Sequence, residues 1–261
     1  MTLLKHEFRM GQKALAIWTA AIGAFIACCV FLFPEMAGQM KMVSNIFASM
    51  GAFTAAFGMD RLNFGTLTGF YAIECGNILG IGGALFAAML ASNLLCKEEK
   101  ERTAEFLLTH PITRCQVVAG KLLAMLAQTL VMNAVVFVIA VASVAAIGYD
   151  IPWKELALLH LSCFLLQVEL EGICFGISAF LRRGGLGIGM GITICLYFIN
   201  LIANLSKQAK FLKYITPFGY TEGADILSDG RLNPRYLAVG AVFTAVGILA
   251  AFWEYRRKDI H

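Results

Sequence analysis

Two groups of residues in this chain are of a type and spacing that could do chemistry. The first is the pair Glu169 and Glu171, with Gln167 beside them, inside an otherwise apolar run. Glu169 lies thirteen residues before Arg182, so on a helix it sits ~20 Å from the nearest charged end. A carboxylate at that depth in a membrane is costly and marks a functional hypothesis, such as a proton or cation site. Residues two apart on a helix point about 200° away from each other, so the pair does not share one narrow cavity on a regular helix. One lines a polar pathway or a subunit interface while the other meets Gln167, His160 or an asparagine of another span. Alternatively both are protonated, hydrogen-bonded carboxyls that fix helix packing. Asn77, Gln128, Asn133, Asn200 and Asn204 are read as interhelical hydrogen bonders, and His160 as a core histidine.

The second group is the run Lys97 to Lys121, KEEKERTAEFLLTHPITRCQVVAGK, the one long charged stretch between apolar segments. Its first half reads as a helix, with good helix formers and Glu98 and Arg102 at i, i+4. Phe106, Leu107 and Leu108 offer an apolar edge, and Pro111 ends the helix because the residue before it is pushed out of the α region. Thr113 reads as the N-cap of the next helix. The shape is that of a short charged helix at the membrane surface, suited to docking a soluble partner.

Other chemistries fail on spacing. A glutamate-type intramembrane protease is suggested by Glu98-Glu99 and by Phe106 to His110, but Arg102 falls one position short of that pattern. The eight cysteines make no C-x-x-C and pair with no histidine at zinc spacing, so they read as small hydrophobes. The glycine-rich stretch 184–191 does not fit G-x-G-x-x-G and follows no strand. Its pairs Gly185/Gly189 and Gly187/Gly191 suit close helix packing. Gly120-Lys121 is no P-loop, so this chain has no ATPase site of its own, and no cofactor or metal is expected in it.

The elements that must position these residues are membrane spans. Hydrophobic residues are 59% and charged residues 15% of the 261, and mean hydropathy is +0.74, against roughly 25% charged in soluble domains. Runs long enough to cross ~30 Å of hydrocarbon recur at 14–33, 75–96, 122–148, 156–181, 186–205 and 236–255. The expected fold class is therefore an all-α membrane protein of six transmembrane helices in a single domain, 1–261. Residues 2–13 read as an amphipathic helix lying at the interface, and Pro34 as the end of the first span. In residues 34–71, Met40, Val43, Ile46, Phe47 and Met50 recur at helical spacing and read as a half-buried external helix, followed by a loop that ends in Gly69-Phe70-Tyr71; a re-entrant hairpin is the alternative. Residues 206–235 read as a second external segment before the last span. No cleavable leader is expected, since the first apolar run is of span length with no clear small-residue cleavage site. Six spans place both termini on one side. Basic residues at 5, 9 and 13, in the charged run, at 182–183 and in the tail 256–258 make that side cytoplasmic, although Lys207, Lys210, Lys213, Arg231 and Arg235 then lie outside. The net charge of +4 is distributed beside spans and does not indicate nucleic acid.

The run E-x-E-R-T-x-E-F-L-L-x-x-P-I-x-R, here Glu99, Glu101-Arg102-Thr103, Glu105-Phe106-Leu107-Leu108, Pro111-Ile112 and Arg114, resembles the permease subunits of type-2 ATP-binding-cassette exporters. The pattern P-F-x-Y-x-x-G-A-D-I-L at 217–227 is similar to the stretch before the last span in the same family. The resemblance implies that the loop 97–115 is a cytoplasmic coupling helix seated in a groove of a separate ATPase subunit. Glu99, Glu101, Arg102, Glu105, Phe106 and Arg114 are then its coupling residues. ATP and magnesium belong to that partner. A second permease, as homo- or heterodimer, completes the substrate pathway in a bacterial plasma membrane, and short external helices cap it. The alternative is an ion- or proton-coupled secondary transporter using Glu169 or Glu171.

Overall fold

The computed structural model describes residues 2–39, 51–101, 112–182 and 184–258. In chain order its elements are α1 (Thr2–Gly38), α2 (Ala52–Ala56), a 3-10 turn (Met59–Arg61), α3 (Leu67–Ser92), α4 (Lys97–Glu101), α5 (Arg114–Ala146), α6 (Trp153–Phe180) and α7 (Leu186–Leu205). Two 3-10 segments (Lys207–Tyr214 and Pro217–Tyr220), α8 (Gly223–Asp229) and α9 (Pro234–Arg257) complete it. Helices α1, α3, α5, α6, α7 and α9 are long and apolar enough to cross a membrane. The all-α, six-span class expected from the apolar runs is the observed one.

Helix α6 is the hub. Helices α3, α5 and α9 pack on it, α1 packs on α5 and α3, and α7 packs on α3. The most apolar stretch of α6 is 67% buried within the chain and that of α9 only 11%, so α6 is the axis and α9 an outer helix. Ile22, Ile26, Val30, Phe86, Met132, Val136, Leu156 and Leu159 interlock α1, α3, α5 and α6. In lipid such contacts act by van der Waals fit, because hydrocarbon outside is as apolar as the core.

Several boundaries differ from those the hydropathy suggests. Residues 2–13 are no separate interfacial helix; they are the first turns of the unbroken α1. No helix breaker stands between Lys13 and Ala14, and the buried Glu7 finds partners that let the polar turns run straight on. Pro34 lies inside α1 and does not close it. A proline removes one donor and crowds the carbonyl four residues back, but the residues after it still donate, and α1 ends at Gly38. Helix α3 begins eight residues before the expected Cys75, because the Thr66 side chain accepts from Gly69 N at 3.2 Å and caps it. Gly69-Phe70-Tyr71 is thus helical, with the Phe70 ring tilted against Phe33 and edge-on to Phe64. The helix expected from Met40 to Met50 lies outside the described residues. Gly148, at φ +76°, ends α5 where only glycine turns without strain.

Helices α6 and α9 cross closely. A Cβ on Gly172 would lie 2.9 Å from the backbone of Thr244, and one on Gly176 2.7 Å from the carbonyl oxygen of Gly247. Backbone therefore meets backbone along this seam. Of the pairs expected to pack in α7, Gly185 and Gly189 do press against Ser92, whereas Gly187 and Gly191 have nothing within 4 Å.

Candidate functional site

At one end of the bundle a network of buried charges gathers the short helix α4. Helix α5 starts with a reciprocal cap: Thr113 Oγ1 accepts from Gln116 N at 3.2 Å, and Gln116 Oε1 accepts from Thr113 N at 2.8 Å. Two turns further on, Lys121 has its side chain fully buried. Its ammonium donates to Leu94 O at 2.6 Å, pairs with Glu98, and lies 3.4 Å from Glu7 of α1. Lys97 reaches the same Glu7 at 3.9 Å. On the other side of α4, Glu99 pairs with Lys258 at 3.0 Å, and that ammonium also donates to Leu181 O at 2.7 Å. Arg114 donates to the carbonyls of Tyr255, Arg256 and Lys258, filling acceptors that the C-terminus of α9 leaves open.

One short helix is thereby tied to the start of α1, the start of α5, the end of α6 and the end of α9. Glu7 and Lys258 meet the same helix, so the start of α1 and the end of α9 lie at this end of the bundle. Removing an ion from water costs several kcal/mol, and close pairing in the interior offsets it only where the geometry is good.

The residues expected to couple to a partner divide here. Glu99 and Arg114 turn inward and bond within the chain. Glu101 is exposed at the end of α4. Arg102, Glu105 and Phe106 lie outside the described residues. Glu7, Lys97, Lys121 and Lys258 have no role in the coupling pattern of the sequence, yet they hold the network. The signal for Lys121 was a lone lysine seven residues inside a helix that starts at Arg114; placing the start of the span at Leu122 hid it.

Glu169 and Glu171 point to opposite sides of α6, as helical geometry requires. Glu171 is fully buried and accepts from Thr129 Oγ1 of α5. One turn away on the same face, Gln167 Oε1 accepts from Asn133 Nδ2 at 2.6 Å, so two rungs join α6 to α5. Glu169, 3% exposed, accepts from Tyr220 Oη at 2.9 Å and packs against Gly240 of α9. His160 meets Tyr71 Oη at 2.7 Å.

At the opposite end a second ionic cluster joins the two segments outside the spans. Arg61 Nη1 donates to Asp225 Oδ1 at 2.6 Å, and Lys213 lies 3.3 Å from Asp225 and 3.8 Å from Glu222. Burial pushes the Asp225 carboxyl up, but the Arg61 guanidinium and the Lys213 ammonium outweigh it, so the group titrates below its ordinary 3.8. Burial holds Glu222 above its ordinary value despite Lys213. Beneath the cluster is a cavity of about 40 Å³ lined by Asn77, Tyr197, Asn200, Asn204, Thr221 and Glu222 among others. That is room for about one water. Neither Glu169 nor Glu171 lines it.

A carboxyl whose folded value is depressed stabilises above its unfolded value, and that contribution is lost as pH falls through the folded value. Asp225→Asn is therefore expected to lower stability by about 0.5 kcal/mol at neutral pH, the pair being solvent-screened. Melting curves of the two proteins should converge below pH 3.8; a difference that persists at lower pH would show that the ion pairs are not its source.

Among the described residues no group of three or more histidine, cysteine, aspartate or glutamate side chains gathers as a metal would need, and all eight cysteines are free. Compared with models of known protein families, residues 1–260 match the ABC-2 family transporter protein. No curated protein matches the chain.

Proposed function

Because the chain belongs to the ABC-2 transporter family and is a multi-pass membrane protein with six spanning helices, we propose that it is a permease driven by a separate ATPase subunit. The charged segment after α3 is the docking element, and ATP with magnesium is bound and hydrolysed in the partner. The observation that carries this reading is the brace on α4. A loop that hung free would absorb a push from a partner. Helix α4, held to α1 through Lys97 and Glu7, to α5 through Glu98 and Lys121 and to α9 through Glu99 and Lys258, passes a displacement into three spans at once.

In this mechanism the residues divide the work. Glu101, with Arg102, Glu105 and Phe106 beyond it, meets the partner; Glu98, Glu99 and Arg114 carry its motion inward. The end of the bundle with α4, the start of α1 and the end of α9 is the cytoplasmic one, where the basic residues concentrate. Two such permeases, identical or related, enclose the pathway in a bacterial plasma membrane. Helix α7 supports this pairing, since its most apolar stretch is only 22% buried and Gly187 and Gly191 face open space. The 3-10 segments, α2 and α8 cap the outer end. Nothing favours the secondary-transporter alternative, for Glu169 and Glu171 are each closed off by a neighbouring element and share no cavity.

The test is purification of the tagged chain in mild detergent with identification of what accompanies it. A stoichiometric ATPase is expected, and replacing Glu101 and Glu105 with alanine should weaken its binding at least tenfold, about 1.4 kcal/mol. A permease that purifies alone even after gentle crosslinking would falsify the reading.

A further inference from the structure

The C-terminal turn of α9 carries two arginines that the network above does not use. Arg256 and Arg257 are exposed, and among the described residues no acid pairs with either. The neighbouring Lys258 ammonium is turned inward to Leu181 and Glu99, and Arg114 reaches only backbone carbonyls there. The Arg257 guanidinium lies over the ring of Trp253, 4.5 Å from its centroid, a stacking that fixes where the charge stands. Trp253, Arg256 and Arg257 together line an open notch of about 280 Å³.

Above this notch runs an apolar stripe. Val242, Val246, Leu249 and Trp253 are each more than half exposed, and at 3.6 residues per turn they fall with Arg256 and Arg257 inside roughly 100° of arc. From Val242 to Trp253 the stripe is about 16 Å long at 1.5 Å per residue. One leaflet of a hydrocarbon core ~30 Å thick is about 15 Å deep. The face thus has the dimensions and polarity of one phospholipid: an apolar length of one leaflet, an aromatic ring of the kind that settles at the interface, then two uncompensated cations.

We propose that this face of α9 is a binding site for an anionic phospholipid. Its phosphate sits on Arg256 and Arg257, and its acyl chain lies along Trp253, Leu249, Val246 and Val242. The occupant is a lipid because the apolar part of the face belongs to a spanning helix, and an anionic one because no acid of the described chain neutralises the notch.

The experiment is native mass spectrometry of the full chain in mild detergent, titrated with phosphatidylglycerol and with phosphatidylcholine of the same acyl chains. The wild type should retain phosphatidylglycerol up to roughly 30-fold better, about fivefold for each arginine near the surface. Arg256→Gln with Arg257→Gln should bring the ratio close to one, whereas Arg256→Lys with Arg257→Lys should keep it. Trp253→Ala should lower retention of phosphatidylglycerol. Equal retention of both lipids by the wild type, or a preference untouched by the glutamine pair, overturns the proposal. So does a dimer that the glutamine pair dissolves, since a second copy of the chain would then cover the face.

Discussion

Lys121→Met is expected to be among the most damaging single changes in this chain, lowering stability by about 3–5 kcal/mol. The wild-type ammonium has its side chain fully buried, between Glu98 and Glu7, and methionine fills nearly the same volume without the charge. What remains is Glu98 without its cation and Glu7 with only Lys97 at 3.9 Å, in a site nearly closed to water, and an unpaired buried ion is the costly outcome rather than the loss of attraction itself. In a thermal melt in detergent the loss should appear as a fall of about 10 °C. The control is the double change Lys121→Met with Glu98→Gln. Neutralising the nearer carboxylate should recover part of the loss, because the two sites are coupled and their effects do not add. If the double variant melts at the temperature that simple addition gives, the pair is not an energetic unit and the brace on α4 loses its basis.

Gly176→Val should be the second large effect. The valine Cβ would fall 2.7 Å from the carbonyl oxygen of Gly247, and that atom belongs to the backbone of α9, so no side-chain rotation relieves it. Overpacking of this kind costs about 3 kcal/mol. The damage should be local, because α9 is otherwise the least buried span and depends on this seam and on the cap from Arg114. Hydrogen exchange is the discriminating measurement: protection should fall across residues 234–257 while α1 and α5 keep theirs. A uniform loss across the bundle would mean that α9 is not separately docked.

The number and type of the long helices could be read from the sequence because bilayer thickness dictates the length of an apolar run. The boundaries could not: five of the six spans begin earlier than the apolar run suggests, and only α7 keeps both of its expected ends. Glu7, Lys121 and the turn at Gly69 lie inside helices because Lys97, Glu98 and Thr66 supply them with partners, and hydropathy weighs a residue without its partner. The divergence of Glu169 and Glu171 was legible from 100° per residue. Their partners Tyr220 and Thr129 were not, since these depend on which elements become neighbours. The glycine spacing of α7 marks one close contact, but the crossing of α6 and α9 uses Gly172 and Gly176, a pattern that acquires meaning only against Thr244 and Gly247. In the charged run the residue types suggested an outward-facing surface, yet Glu99 and Arg114 serve the chain's own interior.

The bond from Arg114 to the carbonyl of Lys258 joins positions 144 residues apart in sequence. During synthesis at 5–20 residues per second, roughly 7–30 s pass between the two. Throughout that interval Arg114 and Glu99 wait without the partners that later hold them, and α4 is anchored only toward α1 and α5. The surface nearest the proposed docking element is therefore among the last parts of the molecule to take its final form. A chain cut short before its sixth span would offer the proposed ATPase partner an unfinished surface, and under that reading completion of the polypeptide precedes assembly.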